Sequence, residues 1–334
     1  MRAWEILSDG GIDALALTER PSPEPGPGEV KVAVRASSIN YRDLLTIKDP
    51  AARKLPYPRV PNSDGAGEVI AVGPGVTSVA VGERVASCFF QDWDDGPCSA
   101  TAMASALGGA RDGVLAEEVV LSGQGVVPIP DSLDFAAAAT LPCAALTAWN
   151  ALVEAGGVKA GDRVLLLGTG GVSIFALQFC ALLGAQAIVT SSSDEKLARA
   201  REMGTWQCVN YRTTPDWEQA VLELTDGLGV DVTVEVGGAG TLPRSIAATR
   251  VAGTIALIGV LTGGQIDPTL VMRKSIKLQG IYVGSRRMFT EMNRAIAAGG
   301  LEPVIDRRFA FDEARAAYHA MEEANHFGKL VITL

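Results

Sequence analysis

Histidine is almost missing from this chain of 334 residues: only His319 and His326 occur, both near the C-terminus. That scarcity excludes a multi-histidine metal site and leaves little room for a histidine-based triad. Five cysteines, Cys88, Cys98, Cys143, Cys180 and Cys208, stand far apart with no C-x-x-C pair, so they read as free, mostly buried thiols. No block of Lys and Arg is present, and a net charge of -9 with a pI near 4.9 excludes a nucleic-acid or anionic-membrane partner. No apolar run reaches the ~18 to 20 residues of a bilayer span. The opening "MRAWEILSDGG" lacks the apolar stretch of a secretory signal, a pattern that predicts a cytoplasmic protein.

What is abundant is apolar sequence, 48% of the chain, enough for a large core divided between two domains. The first third alternates in the manner of strands, as in "VKVAVRASSIN", "GEVIAVG" and "GERVASCFF". From about Phe135 short apolar runs alternate with helix-like segments: "RVLLLG", "SIFALQFCALLG", "AIVTSS", "DEKLARAREMG", "DVTVEVGG", "TIALIGV" and "IKLQGIYV". That order predicts an α/β fold with a doubly wound parallel sheet. The closing "KLVITL" is strand-like and can rejoin the first third, making that domain discontinuous. The long segment from Gln91 to Gly113 reads either as part of a substrate mouth or as a surface excursion.

Gly168, Thr169, Gly170, Gly171 and Val172 follow the strand "RVLLL" and open a helix. Glycine there permits a tight turn and close approach of backbone to a pyrophosphate, whose charge the free N–H groups of the helix start can hold. Ser173 replaces the third glycine of the dinucleotide fingerprint and is small enough to be tolerated. At the end of the next strand an NAD enzyme carries Asp or Glu for the ribose 2'-hydroxyl. Here Ser191 and Ser192 stand instead, with Lys196 close behind, which favours the 2'-phosphate of NADP. Asp194 and Glu195 weigh toward NAD, and a serine at this point also caps a helix.

Together "INYRDLL", "VPNSDGAGEV", "GERV", "TLPCAALTAWNAL", "GTGGVS", "TSSSDEKL", "VNYR" and the final "FGKLVITL" resemble the medium-chain dehydrogenase/reductase superfamily, specifically its zinc-independent branch related to quinone oxidoreductases and alcohol dehydrogenases. The resemblance implies a GroES-like β-barrel catalytic domain over 1–122 and 287–334. It implies a Rossmann domain over 123–286, an active-site cleft between the two, and homodimers through edge strands such as "IKLQGIYV". Positions matching the catalytic zinc ligands of relatives are Asn40, Ser63 and Cys143. One ligand of three survives, so no catalytic zinc is expected. Cys88 and Cys98 alone do not make the four-cysteine structural lobe. The resemblance also sets Cys143, Thr147, Gly259, Val260, Tyr282 and Val283 beside the coenzyme. Lys196 and Tyr211 approach its adenosine phosphate, and Lys329 reaches toward its phosphates.

Without a metal, hydride transfer to a small carbonyl or activated alkene, such as a quinone or enone, relies on hydrogen-bond donors at the developing oxyanion. Asn40 suits the nicotinamide amide or the substrate oxygen. Tyr41 suits either a proton donor or simple packing. Arg42 with Asp43 or Asp64 either fills the vacated metal pocket or forms an ordinary surface pair worth ~0 to 1 kcal/mol. The expected function is an NADPH-dependent, zinc-independent oxidoreductase. The alternatives are a reversible NAD(P)-dependent alcohol dehydrogenase and a non-catalytic dinucleotide-binding protein.

Overall fold

The computed structural model describes residues 1–334, which divide into two units: Met1–Leu146 with Gly284–Leu334, and Thr147–Val283. The first unit opens with a two-stranded antiparallel ribbon of β1 (Arg2–Glu5) and β2 (Ala16–Glu19). Its main sheet holds β3 (Glu29–Ile39), β4 (Asp64–Val72), β5 (Arg84–Ser87), β6 (Glu118–Ser122) and β7 (Val126–Pro128). Alternation works here as expected: Val30, Val32 and Val34 enter a core with Ile39, Val69, Val85 and Leu121.

The second unit is a six-stranded parallel sheet of β8 (Arg163–Leu167), β9 (Gln186–Ser191), β10 (Gln207–Asn210), β11 (Val230–Glu235), β12 (Thr249–Leu257) and β13 (Lys277–Gly280). Its spatial order is β10-β9-β8-β11-β12-β13, the order of a doubly wound dinucleotide-binding sheet. Val164, Leu165 and Leu166 of β8 are fully buried, which is why that strand reads as one apolar run. The helix Gly171–Leu183 after it buries Ile174, Phe175, Leu177 and Phe179, with Trp149 edge-on to Phe179 at 5.4 Å. No helix is long and apolar enough to cross a membrane.

Two further strands, β14 (Ile305–Ala310) and β15 (Lys329–Thr333), return to the first unit's sheet, where β15 pairs antiparallel with β3. The passage into the second unit comes later than the sequence places it, at 146/147 instead of 122/123. β7 pairs with β5, and the helix Phe135–Ala138 packs on β3 and β4, so residues 123–146 stay with the first sheet. The return falls at 283/284 instead of 286/287. The strand-rich first third also contains a helix, Tyr41–Lys48, started by a capping box in which the Asn40 backbone N–H donates to Asp43 Oδ2 at 2.9 Å.

A chain of side-chain hydrogen bonds locks the start of β4. The buried Tyr318 hydroxyl donates to Asn62 Oδ1, Asn62 Nδ2 donates to Ser37 Oγ at 2.9 Å, and Ser37 Oγ donates to the Asp64 carbonyl at 2.9 Å. Asn62 itself has φ 68°, a left-handed conformation asparagine tolerates. Tyr318→Phe leaves Asn62 Oδ1 buried without this donor. Chemical denaturation should show a loss of about 1–3 kcal/mol in unfolding free energy, and an unchanged midpoint would contradict the locking role.

Candidate active site

In the second unit, the residues expected beside a coenzyme gather at the carboxyl ends of the parallel strands. Gly168 leaves β8 with φ 75°, a conformation that favours glycine. Gly170 occupies the N-cap position and so offers no side chain to the first-turn N–H groups of Gly171, Val172 and Ser173. A Cβ built on Gly170 meets nothing within 4 Å, leaving open space over the loop. Thr169 is buried beside it. Ser173 does more than fit: its hydroxyl donates to the Leu167 carbonyl at 2.6 Å, tying the helix to the end of its strand.

Ser191 ends β9, and its hydroxyl accepts from the Ser193 backbone N–H at 3.3 Å. Ser193 caps the helix Asp194–Glu202 by accepting from Lys196 N. Asp194 accepts from Asn210 Nδ2 at 2.7 Å, so this carboxylate is engaged across the β9–β10 edge. The Tyr211 N–H donates to the Ser191 carbonyl at 3.1 Å, which sets the tyrosine next to that serine. Ser192 and Lys196 are half-buried on the same turn.

Gly259 follows β12, and a Cβ there would lie 1.9 Å from the Val236 backbone, so only glycine fits. Val260 is exposed. After β13, Tyr282 is half-exposed and Val283 is buried with φ 57°, an unfavourable conformation for a β-branched residue. The Val283 carbonyl accepts from Asn150 Nδ2 at 2.7 Å, and Thr147 is buried on the same helical stretch. Glu235, absent from the sequence reading, ends β11 fully buried. Its carboxylate accepts from Gly237 N at 2.7 Å, Gly238 N at 3.0 Å, Thr241 Oγ1 at 2.7 Å and the Ser245 hydroxyl. The acid ahead of two glycines in "EVGGAGT" was its only signal.

In the first unit a second constellation is almost closed to solvent. Asn40, Asp43, Ser63, Asp64 and Lys329 are 7%, 1%, 0%, 0% and 3% exposed. Lys329 Nζ donates to the Ile39 carbonyl and to Asn40 Oδ1, both at 2.6 Å. Asp64 Oδ1 accepts from the Ser63 hydroxyl at 2.6 Å and Asp64 Oδ2 from the Cys143 backbone N–H at 3.0 Å. Burial raises the Asp64 carboxyl to about 6, with Lys329 opposing and Asp43 adding to the rise. Burial also raises Asp43, against Arg42. Lys329 is lowered by burial, against Asp64, Cys143 and Asp43. The Cys143 thiol is pushed far up by burial and by Asp64, so it is a poor thiolate.

One expectation changes here, and two others gain detail. Lys329 does not extend a free ammonium toward phosphates; its cation is buried and hydrogen-bonded inside this cluster. Arg42 reaches Asp43 at 3.5 Å, yet its guanidinium donates to the Leu107 carbonyl at 2.6 Å and lies 4.4 Å from the Phe89 ring centroid. Lysine, rather than this arginine, therefore joins Asn40 directly. Tyr41 is 41% exposed, and the charge it interacts with is Lys48 at the surface. Neither Tyr318 nor Asn62, which brace the cluster through Ser37, was singled out from sequence.

Comparison with known proteins agrees with both halves of this geometry. Residues 26–131 match the alcohol dehydrogenase GroES-like domain, and residues 171–298 match the zinc-binding dehydrogenase family. A zinc-type alcohol dehydrogenase-like protein of Schizosaccharomyces pombe is 42% identical, over 97% of this chain and 96% of its own. A quinone oxidoreductase of Pseudomonas aeruginosa is 30% identical over 98% of each. Among solved structures, an NAD-dependent alcohol dehydrogenase superposes with a TM-score of 0.91 at 36% identity, covering 100% of both chains. A mycobacterial protein complexed with NADPH reaches 0.84 at 27% identity, also over 100% of both.

The buried carboxyls carry a pH signature. Asp64 ordinarily titrates at 3.8 and here at about 6, so the folded state holds the extra proton between those values. Its ionisation therefore costs stability as pH rises through that window, and the cost is constant above it. Relative to Asp64→Asn, the wild type should lose about 2 kcal/mol of unfolding free energy between pH 4 and 7. Parallel stability curves for the two proteins would contradict the raised value.

Proposed function

The chain belongs to the medium-chain dehydrogenase/reductase superfamily, and from that premise we propose a zinc-independent reductase that passes hydride from NADPH to a small carbonyl or an activated alkene, such as a quinone or enone. Its class is oxidoreductase, its coenzyme a nicotinamide dinucleotide and its substrate a small molecule. The finer reading rests on one observation: an ammonium, Lys329 Nζ, is seated on Asn40, one of the positions that match zinc ligands in relatives.

That donor set does not suit zinc. An amide engaged by a cation, a hydroxyl donating to its neighbour and a thiol held protonated do not make an N/S site, and no three His, Cys, Asp or Glu side chains gather to hold a metal. The glycine loop does suit a diphosphate, with open backbone N–H groups at a helix start and space above Gly170. When bound, the coenzyme supplies the hydride. On the protein side, Asn40 Nδ2 serves as the donor to the acceptor oxygen as negative charge develops there. Tyr41, 41% exposed at the start of the helix, is the second candidate for the proton donor.

For the coenzyme, Ser191 at the end of β9 and the half-buried Lys196 support NADPH. A carboxylate at Ser191 would repel the 2'-phosphate. The alternative, a reversible NAD-dependent alcohol dehydrogenase, is favoured by the solved NAD-dependent relative. The exposed edge strand β13 supports the homodimer expected from the sequence.

Purified protein should contain well under one equivalent of zinc and oxidise NADPH with a quinone or enone; stoichiometric zinc together with alcohol oxidation would overturn the proposal. Ser191→Asp should shift the NADPH/NADH ratio of kcat/KM toward NADH by about tenfold or more, corresponding to about 1.4 kcal/mol. An unmoved ratio would place the phosphate-recognising group elsewhere.

A further inference from the structure

Burying a lysine needs compensation, and the partners of Lys329 are specific. Its ammonium carries three donors and no acceptor. Two of them are used at 2.6 Å, on the Ile39 carbonyl and on Asn40 Oδ1, and the negative groups acting on it are Asp64, Cys143 and Asp43. Because an ammonium only donates, the end of the Asn40 carboxamide facing it must be the oxygen. The amide end, Nδ2, is then the free donor. It is buried, lies near the Asp43 and Asp64 carboxylates, and makes no hydrogen bond of normal geometry with any protein atom. A buried donor in that state costs about 1–3 kcal/mol unless an acceptor arrives.

We propose that Lys329 is a positioning residue of the reductase site, the resident cation of this cluster, which holds the Asn40 carboxamide by its oxygen and so leaves Nδ2, without an acceptor among the protein atoms, as the donor for the substrate oxygen. This rests on the reductase reading above and adds the group that fixes its oxyanion donor. Lys329 touches neither substrate nor coenzyme; it acts through Asn40. The charge also balances: Asp43 and Asp64 face Arg42 and Lys329 within one closed cluster. A fixed ammonium thus does two tasks of a metal ion, neutralising buried carboxylates and orienting a polar ligand.

The test separates holding from folding with four variants: Lys329→Met, Lys329→Met with Asp64→Asn, Asn40→Ala, and Lys329→Met with Asn40→Ala. Lys329→Met should melt lower than wild type. Adding Asp64→Asn should recover much of that loss, since Asn keeps an acceptor for the Cys143 N–H while removing the stranded charge. If the lysine positions Asn40, kcat stays at least tenfold down in both proteins while the NADPH Kd stays within twofold. Adding Lys329→Met to Asn40→Ala should then lower kcat no further. Recovery of kcat together with melting temperature would reduce Lys329 to a structural counter-ion, and a tenfold weaker NADPH Kd would return it to the coenzyme phosphates. A further drop in the Asn40→Ala background would also overturn the proposal. A readout without turnover uses asparagine-selective ¹⁵N labelling. The Asn40 side-chain amide signal, identified by its loss in Asn40→Ala, should shift and lose exchange protection in Lys329→Met. An unmoved signal overturns the positioning role even if the wild type reduces no substrate offered, an outcome that would by itself sink only the reductase reading.

Discussion

The pairing of Lys329 with the cluster around Asn40 and Asp64 is the constraint on which the buried polar cluster of the first unit depends. Two carboxylates and two cations are removed from water there, a step that costs several kcal/mol per ion unless each is neutralised and hydrogen-bonded. Asp64 meets this demand with Ser63 and the Cys143 backbone, Asp43 with Arg42 and the helix start, and Lys329 with Ile39 and Asn40. The result is a rigid polar knot in which removing any one charge leaves its partner stranded. Such a knot can hold a carboxamide still, which is what a preorganised donor requires.

In the second unit the corresponding constraint is the backbone at the strand ends. Gly168 makes the turn, Gly170 leaves the helix start bare, and Gly259 admits the Val236 backbone. Two buried polar side chains keep those turns in place. Ser173 ties the first helix to β8, and Glu235 gathers three donors from the loop after β11 and a fourth, Ser245, from the helix Leu242–Ala248 that follows. The proposed anion site is therefore one of N–H groups whose positions are set by carboxylate and hydroxyl anchors behind them.

Much of this architecture was legible in the sequence because it follows from local pattern. Continuous apolar runs signalled parallel strands, alternation signalled the first sheet, and glycines between a strand and a helix signalled the loop. What was not legible depends on contacts across long sequence separation. Lys329 is 289 residues from Asn40, and a lysine near a C-terminus reads as a solvated charge. Tyr318 reaches Asn62 across 256 residues, and neither belongs to a local motif. Arg42 was placed correctly beside Asp43, but its other partners, the Leu107 carbonyl and the Phe89 ring, come from segments far along the chain. The boundary at 146/147 was missed for the same reason: β7 is three residues long and owes its membership to pairing with β5.

Register connects these distant pieces. β15 pairs with β3 so that Leu330 faces Ile39 and Val331 faces Ser38, which brings Lys329 alongside the end of β3 just where Asn40 starts its helix. β3 in turn pairs on its other side with β4, setting Ser38 opposite Asp64. A slip of one residue in β15 would turn its side chains to opposite faces, carry Lys329 out of the cluster and leave Asp64 without its cation. Burial of Leu330, Val331 and Ile332 makes that slip costly, so apolar packing in the last strand is what holds the ammonium on Asn40. Charge placement at the site is thus a consequence of sheet register, and the register is enforced by side chains that take no part in the chemistry.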